Sequence, residues 1–146
     1  MKVDITYTNT LTPAEFNALR VAVGWNAIES SLAINGLEHT AFVVCARDEG
    51  KAIGMARFIT DYGYTIYIAD VIVHPDYQGK GLGREIMTRI MAYINANIAP
   101  GQWKFITLMA AKGKEGFYEK FGFNKRPADD AGCGMSQRID FSEATP

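Results

Sequence analysis

The 146-residue sequence predicts an α/β (α+β) chain built on a mixed, mostly antiparallel sheet. Three observations carry this expectation. Residues 40–47, 51–60 and 64–74 are β-rich runs separated by the turns Asp48-Glu49-Gly50 and Asp61-Tyr62-Gly63, the pattern of a three-strand antiparallel meander. Residues 81–97 carry Ile86, Ile90 and Ile94, continued just past the end by Ile98, every four positions with Met87 and Met91 beside them, one apolar stripe on an amphipathic helix. Between the last run and that helix lies Gln78-Gly79-Lys80-Gly81-Leu82-Gly83, a glycine-rich strand-to-helix link.

The remaining elements follow in order. Residues 3–8 read as a short first strand. Thr12-Pro13-Ala14-Glu15 then supplies an N-cap threonine, a proline at the first helical position and a glutamate at the third, so a helix begins there. Phe16, Leu19, Ala22 and Val23 line its apolar face, and Gly24 is placed to end it. A second helix is expected over residues 27–34, stopping at Asn35-Gly36. After the long helix, Pro100-Gly101 breaks the chain; residues 104–110 read as a strand, 114–121 as a short helix and 134–141 as a closing strand.

Composition narrows the function classes. At this length one domain spanning residues 1–146 is expected. Hydrophobic residues at 48% and charged residues at 21% are ordinary globular values. A net charge of -1 leaves no basic surface to neutralise a run of phosphates, so nucleic acid is not expected as a partner. No apolar run approaches the ~20 residues of a membrane span, and the start has no signal-peptide core, so a cytoplasmic protein without membrane contact is expected. Cys45 falls within a strand and Cys133 in a glycine-rich loop; neither they nor His39 and His74 have partners at ligand spacing, so no metal site is expected.

The glycine-rich link reads as an anion cradle. Glycines let backbone approach a phosphate, and the free N–H groups of a helix start attract negative charge. A dinucleotide fingerprint needs its third glycine at position 84, where the chain has Arg84. A mononucleotide P-loop needs Ser or Thr after its lysine, and Lys80 is followed by Gly81. A plain turn would need only one glycine.

What remains, Gln-Gly-Lys-Gly-Leu-Gly between strand and helix, resembles the acyl-CoA loop of the GNAT superfamily of N-acetyltransferases. The resemblance extends over roughly residues 53–123. It takes in Asp70-Val71-Ile72-Val73-His74-Pro75 and the late motif F-Y-x-x-x-G-F at Phe117, Tyr118, Gly122 and Phe123. It implies a sheet of six to seven strands flanked by about four helices, acetyl-CoA as cosubstrate, and direct transfer of its acetyl group to an amine. By the same resemblance, Gln78, Gly79, Lys80, Gly81, Leu82, Gly83 and Arg84 would hold the pyrophosphate. Val71, Ile72 and Val73 would offer backbone groups to the pantetheine arm and acetyl carbonyl, and Phe117 and Tyr118 would lie against the cofactor.

Two catalytic candidates follow. Tyr118 is implied as the general acid that protonates the departing sulfur, with packing in an aromatic cluster as the alternative. Asp70 is a carboxylate in a strand apolar on both faces. It either helps remove a proton from the ammonium substrate, directly or through water, or is a structural carboxylate bonded to backbone N–H groups or to an arginine such as Arg57. Some relatives with a similar strand and loop act on arylalkylamines or amino sugars, which points to a small-molecule primary amine as acceptor. Acetylation of a protein lysine or N-terminus, and a non-catalytic acyl-CoA sensor, are the alternatives. Tyr62, Tyr64, Tyr67 and Trp25 are candidates to line the acceptor pocket, and a homodimer is a possible assembly.

Overall fold

A computed structural model describes residues 4–141. The chain divides into two compact units, Met1–Met109 and Ala110–Pro146. The first holds a five-stranded sheet in the order β1 (Ile5–Thr8), β2 (Phe42–Asp48), β3 (Lys51–Thr60), β4 (Thr65–Val73) and β5 (Phe105–Leu108). Every pairing is antiparallel except that of β4 with β5, so the sheet is mixed and mostly antiparallel as expected.

Among the described residues the strand count is lower than the six or seven expected. Residues 134–141, read from sequence as a closing strand, have no regular structure, and Met135, Ile139 and Phe141 are at least 82% exposed. A strand persists only when a neighbour satisfies its N–H and C=O groups. In the second unit the pairing among the described residues is limited to an isolated bridge between Ala128 and Ala131.

Helix α1 (Pro13–Ala22) starts at the capping box read from sequence: the Thr12 hydroxyl accepts from the Glu15 N–H, and the Glu15 carboxylate accepts from the Thr12 N–H. Hydrogen bonding from the Arg47 guanidinium, 2.5 Å away, is the main cause that lowers the Glu15 carboxyl to about 2. Gly24, at φ +87°, follows the helix. Helix α2 is Ser30–Glu38 rather than 27–34. The Glu29 carboxylate caps its start by accepting from the Ser31 and Leu32 N–H groups. Asn35-Gly36 does not end it, because Gly36 keeps a helical backbone and the chain leaves the helix at His39.

The two faces of the sheet carry different helices. Helix α3 (Leu82–Ala96) buries Ile86, Met87, Ile90 and Ile94, each worth roughly 2 kcal/mol of hydrophobic stabilisation. Its Tyr93 stacks on Phe42 of β2 at 3.8 Å and meets Phe58 of β3. The opposite face packs Met55 and Ile72 against Phe16 and Leu19 of α1 and Ala33 of α2. In the second unit, α4 (Glu115–Glu119) is a single short helix.

Gly54 of β3 sets how closely α3 lies on the sheet. A Cβ there would meet Ile86 Cδ1 at 3.0 Å and the Ile72 carbonyl oxygen at 3.3 Å. We expect Gly54→Val to overpack this contact and lower stability by about 1–3 kcal/mol in urea titration.

Candidate functional site

The site begins with an irregularity in β4. Arg57 of β3 pairs with Ala69, but Met55, two residues away, pairs with Ile72, three residues away, so Asp70 and Val71 together oppose Ala56. This is a β-bulge, and Asp70 takes the left-handed conformation at φ +54°, which Asp tolerates better than most residues. The bulge reverses the side-chain parity expected of an unbroken strand. Ile68 opposes Phe58 on the α3 face, whereas Ile72 joins the α1 and α2 face.

The bulge also marks where β4 loses its other neighbour. β5 pairs with residues 65–68 of β4 and no further. On that side residues 69–73 have no partner strand among the described residues. A stretch of backbone is thus left open to an extended ligand, at the residues that the resemblance assigns to the pantetheine arm.

Beyond β4 the chain turns through Pro75–Tyr77 into the glycine-rich loop. The loop is pinned at several points. The His74 ring accepts from the Asp76 N–H, the Tyr77 hydroxyl donates to Asp48, and Gln78 Nε2 donates to the Val73 carbonyl at 3.0 Å. Gly79 and Gly81 lie at φ +77° and +83°, where an L side chain is strained. Gly81 is the N-cap of α3 and no side chain caps that helix start; Gly83 falls within its first turn. The N–H groups at the start of α3 therefore lack the side-chain acceptor that α1 and α2 supply to theirs. With Lys80 and Arg84 exposed beside them, the residues present fit an anionic group such as a pyrophosphate. Lys80 Nζ stands 5.5 Å from the centre of the Tyr77 ring.

On the α1 face, Asp70 joins two arginines. Arg20 Nη1 donates to one carboxylate oxygen at 3.0 Å and Arg57 Nε to the other at 2.9 Å. Arg20 Nε also donates to the Asn26 carbonyl, and Arg57 Nη1 to the Thr40 hydroxyl. Both guanidinium groups lie near the Phe16 ring, at 5.8 and 5.7 Å, and Arg20 lies 5.3 Å from Trp25. The pairing with Arg57 is among the alternatives expected from the sequence, whereas that with Arg20 is not. Its signal was its position: four residues after Phe16, it is a cation on the apolar stripe of α1, as Asp70 is an anion in an apolar strand.

In the second unit, the late motif has a local explanation. Gly122, at φ +90°, follows α4, with its N–H bonded to the Glu119 carbonyl and the Phe123 N–H to that of Tyr118. This Schellman ending requires a residue free to adopt positive φ and brings Phe123 back onto Tyr118. Phe117 and Phe123 meet the Tyr118 ring edge-on at 5.0 and 6.4 Å. Tyr118 is 8% exposed, and burial raises its phenol above the ordinary 10.0. Its hydroxyl makes no hydrogen bond among the described residues, yet it is not sealed from solvent.

Of the aromatic residues proposed for a pocket, Trp25 reaches Arg20 of the arginine pair. Tyr64 instead stacks on Trp103 at 4.8 Å, and Tyr62 is 81% exposed; both lie in the link between β3 and β4. Cys45 is fully buried. No group of three or more metal-ligating side chains, and no helix long and apolar enough to cross a membrane, occurs among the described residues.

A sequence model of the acetyltransferase (GNAT) domain matches residues 38–125. A solved structure from Meticillin-Resistant Staphylococcus aureus, of a protein of unknown function, superposes with a TM-score of 0.82 at 31% identity, covering 93% of this chain and 100% of that one. The uncharacterized N-acetyltransferase ycf52 of Porphyra purpurea is 29% identical over 86% of this chain and 72% of its own length. Two plant relatives differ in their named acceptors. Serotonin N-acetyltransferase 2 of rice is 30% identical over 82% of this chain and 59% of its own length. The histone acetyltransferase TAP1 of Glycine max is 33% identical over 55% of this chain and 31% of its own length.

Proposed function

The chain belongs to the GNAT acetyltransferase family, and on that premise we propose that it transfers the acetyl group of acetyl-CoA directly to the primary amine of a small molecule. The observation that carries the donor side is the start of α3, which follows left-handed Gly81 and has no capping side chain. In this reading the N–H groups there, with Lys80 and Arg84, hold the pyrophosphate, and residues 71–73 bind the pantetheine arm along the open side of β4. Bound acetyl-CoA supplies an activated thioester.

Tyr118 holds the proton that the departing sulfur takes up. Burial favours its neutral form, so the phenol stays protonated through the physiological range. Asp70 has each oxygen engaged by a guanidinium, so its part is to hold Arg20 and Arg57 in place rather than to take a proton from the amine. The amine then reacts as its free base, and kcat/KM rises with pH until the amine is deprotonated.

Thermal unfolding with and without acetyl-CoA tests the donor assignment. At 100 times its dissociation constant the ligand adds about 2.7 kcal/mol, and we expect a clear rise in Tm that NAD and ATP do not reproduce. No shift at saturating acetyl-CoA overturns the reading of residues 78–84. Screening amines and lysine peptides for thiol release then separates small-molecule from protein acceptors, and binding without turnover of any amine identifies a sensor.

A further inference from the structure

We propose that Arg20 and Arg57 form an anion-recognition subsite, and that the acceptor is a small amine bearing a carboxylate a few bonds from its nitrogen. This rests on the acetyltransferase reading above and narrows its substrate class. Two guanidinium groups share the single carboxylate of Asp70, and no second acid lies within ion-pair distance of either among the described residues. The other acids of the elements packed here are engaged elsewhere or exposed: Glu15 with Arg47, Glu29 with the start of α2, and Glu38 in solvent. The cluster therefore carries one uncompensated positive charge although its side chains are only 11–19% exposed.

The donors are open as well as charged. Arg20 spends Nε and Nη1 on Asn26 and Asp70, and Arg57 spends Nε and Nη1 on Asp70 and Thr40. Neither Nη2 has a protein partner among the described residues, and neither is sealed from solvent. Each guanidinium is already held by two hydrogen bonds, with Phe16 beside both and Trp25 beside Arg20, so little side-chain freedom is lost on binding. One net charge matches a monoanionic carboxylate; a phosphate dianion would leave the half-buried site overcharged. Asp70 directly precedes Val71, the start of the backbone assigned to the acetyl-bearing arm, so an anion at the arginines places an amine a few bonds away near the thioester.

The test uses the intact protein and thiol release from acetyl-CoA. Its panel is the standard amino acids, each paired with its decarboxylated amine and its carboxamide. We expect at least one amino acid to exceed both neutral counterparts by about 10- to 100-fold in kcat/KM, the range of a charge-assisted contact. Arg20→Gln and Arg57→Lys should erase that preference by raising KM for the carboxylated member, while acetyl-CoA still raises Tm. Equal or better turnover of the decarboxylated amines by the unaltered protein overturns the subsite. So does the absence of turnover of any carboxylated amine by protein that binds acetyl-CoA. Failure of the acetyltransferase reading looks different, since acetyl-CoA itself then gives no thermal shift.

Discussion

Replacing Tyr118 by Phe is expected to lower kcat by about 10²-fold while leaving acetyl-CoA affinity unchanged. The substitution removes one hydroxyl and keeps the ring that Phe117 and Phe123 meet edge-on, so the local packing survives. The pH profile provides the sharper readout. A general acid works in its protonated form, so its contribution is complete at low pH and is lost as pH rises through its pKa. Burial raises that pKa above 10.0, so kcat of the unaltered protein should hold level past pH 10 and fall only beyond it. In the Phe variant the alkaline fall should disappear. Retention of kcat within twofold would remove Tyr118 from proton transfer and leave it as a packing residue.

Replacing Asp70 by Ala is expected to be the most destabilising single change at the site, by about 2–4 kcal/mol, or a fall in Tm of roughly 5–15 °C. Two effects add. Arg20 and Arg57 lose the carboxylate that separates them and become like charges in a site that water only partly reaches. Alanine also tolerates φ +54° less well than Asp, which costs about 1 kcal/mol. Asp70→Asn keeps an acceptor and the tolerance for left-handed backbone, so about half that loss is expected. Thermal or urea unfolding of the pair measures both. A kcat that collapses in the Asn variant with KM and Tm unchanged would instead return Asp70 to the role of base.

The elements legible in the sequence were those whose cause is local. Thr12 and Glu15 announce a helix start because the hydrogen bonds of a capping box close within four residues. The isoleucines of α3 announce a buried stripe because helical spacing alone puts them on one face. Gly79 and Gly81 announce a loop whose backbone can approach a phosphate, because glycine freely adopts the left-handed conformation that both take. Residues 134–141 show the limit of that logic: an apolar and polar mixture suits a strand, but strand formation is decided by a neighbour, and none pairs with them among the described residues.

The sequence by itself determined the loop, the long helix, the meander and the late aromatic motif, and through them the family. Only tertiary structure decided the bulge at Asp70, the register that ends β5 beside Ile68, and the meeting of Arg20, Arg57 and Asp70. The reason is distance along the chain. Local geometry is set by neighbouring dihedrals and side chains, whereas a carboxylate 50 residues from one arginine and 13 from another meets them only after helix α1 has packed on the sheet.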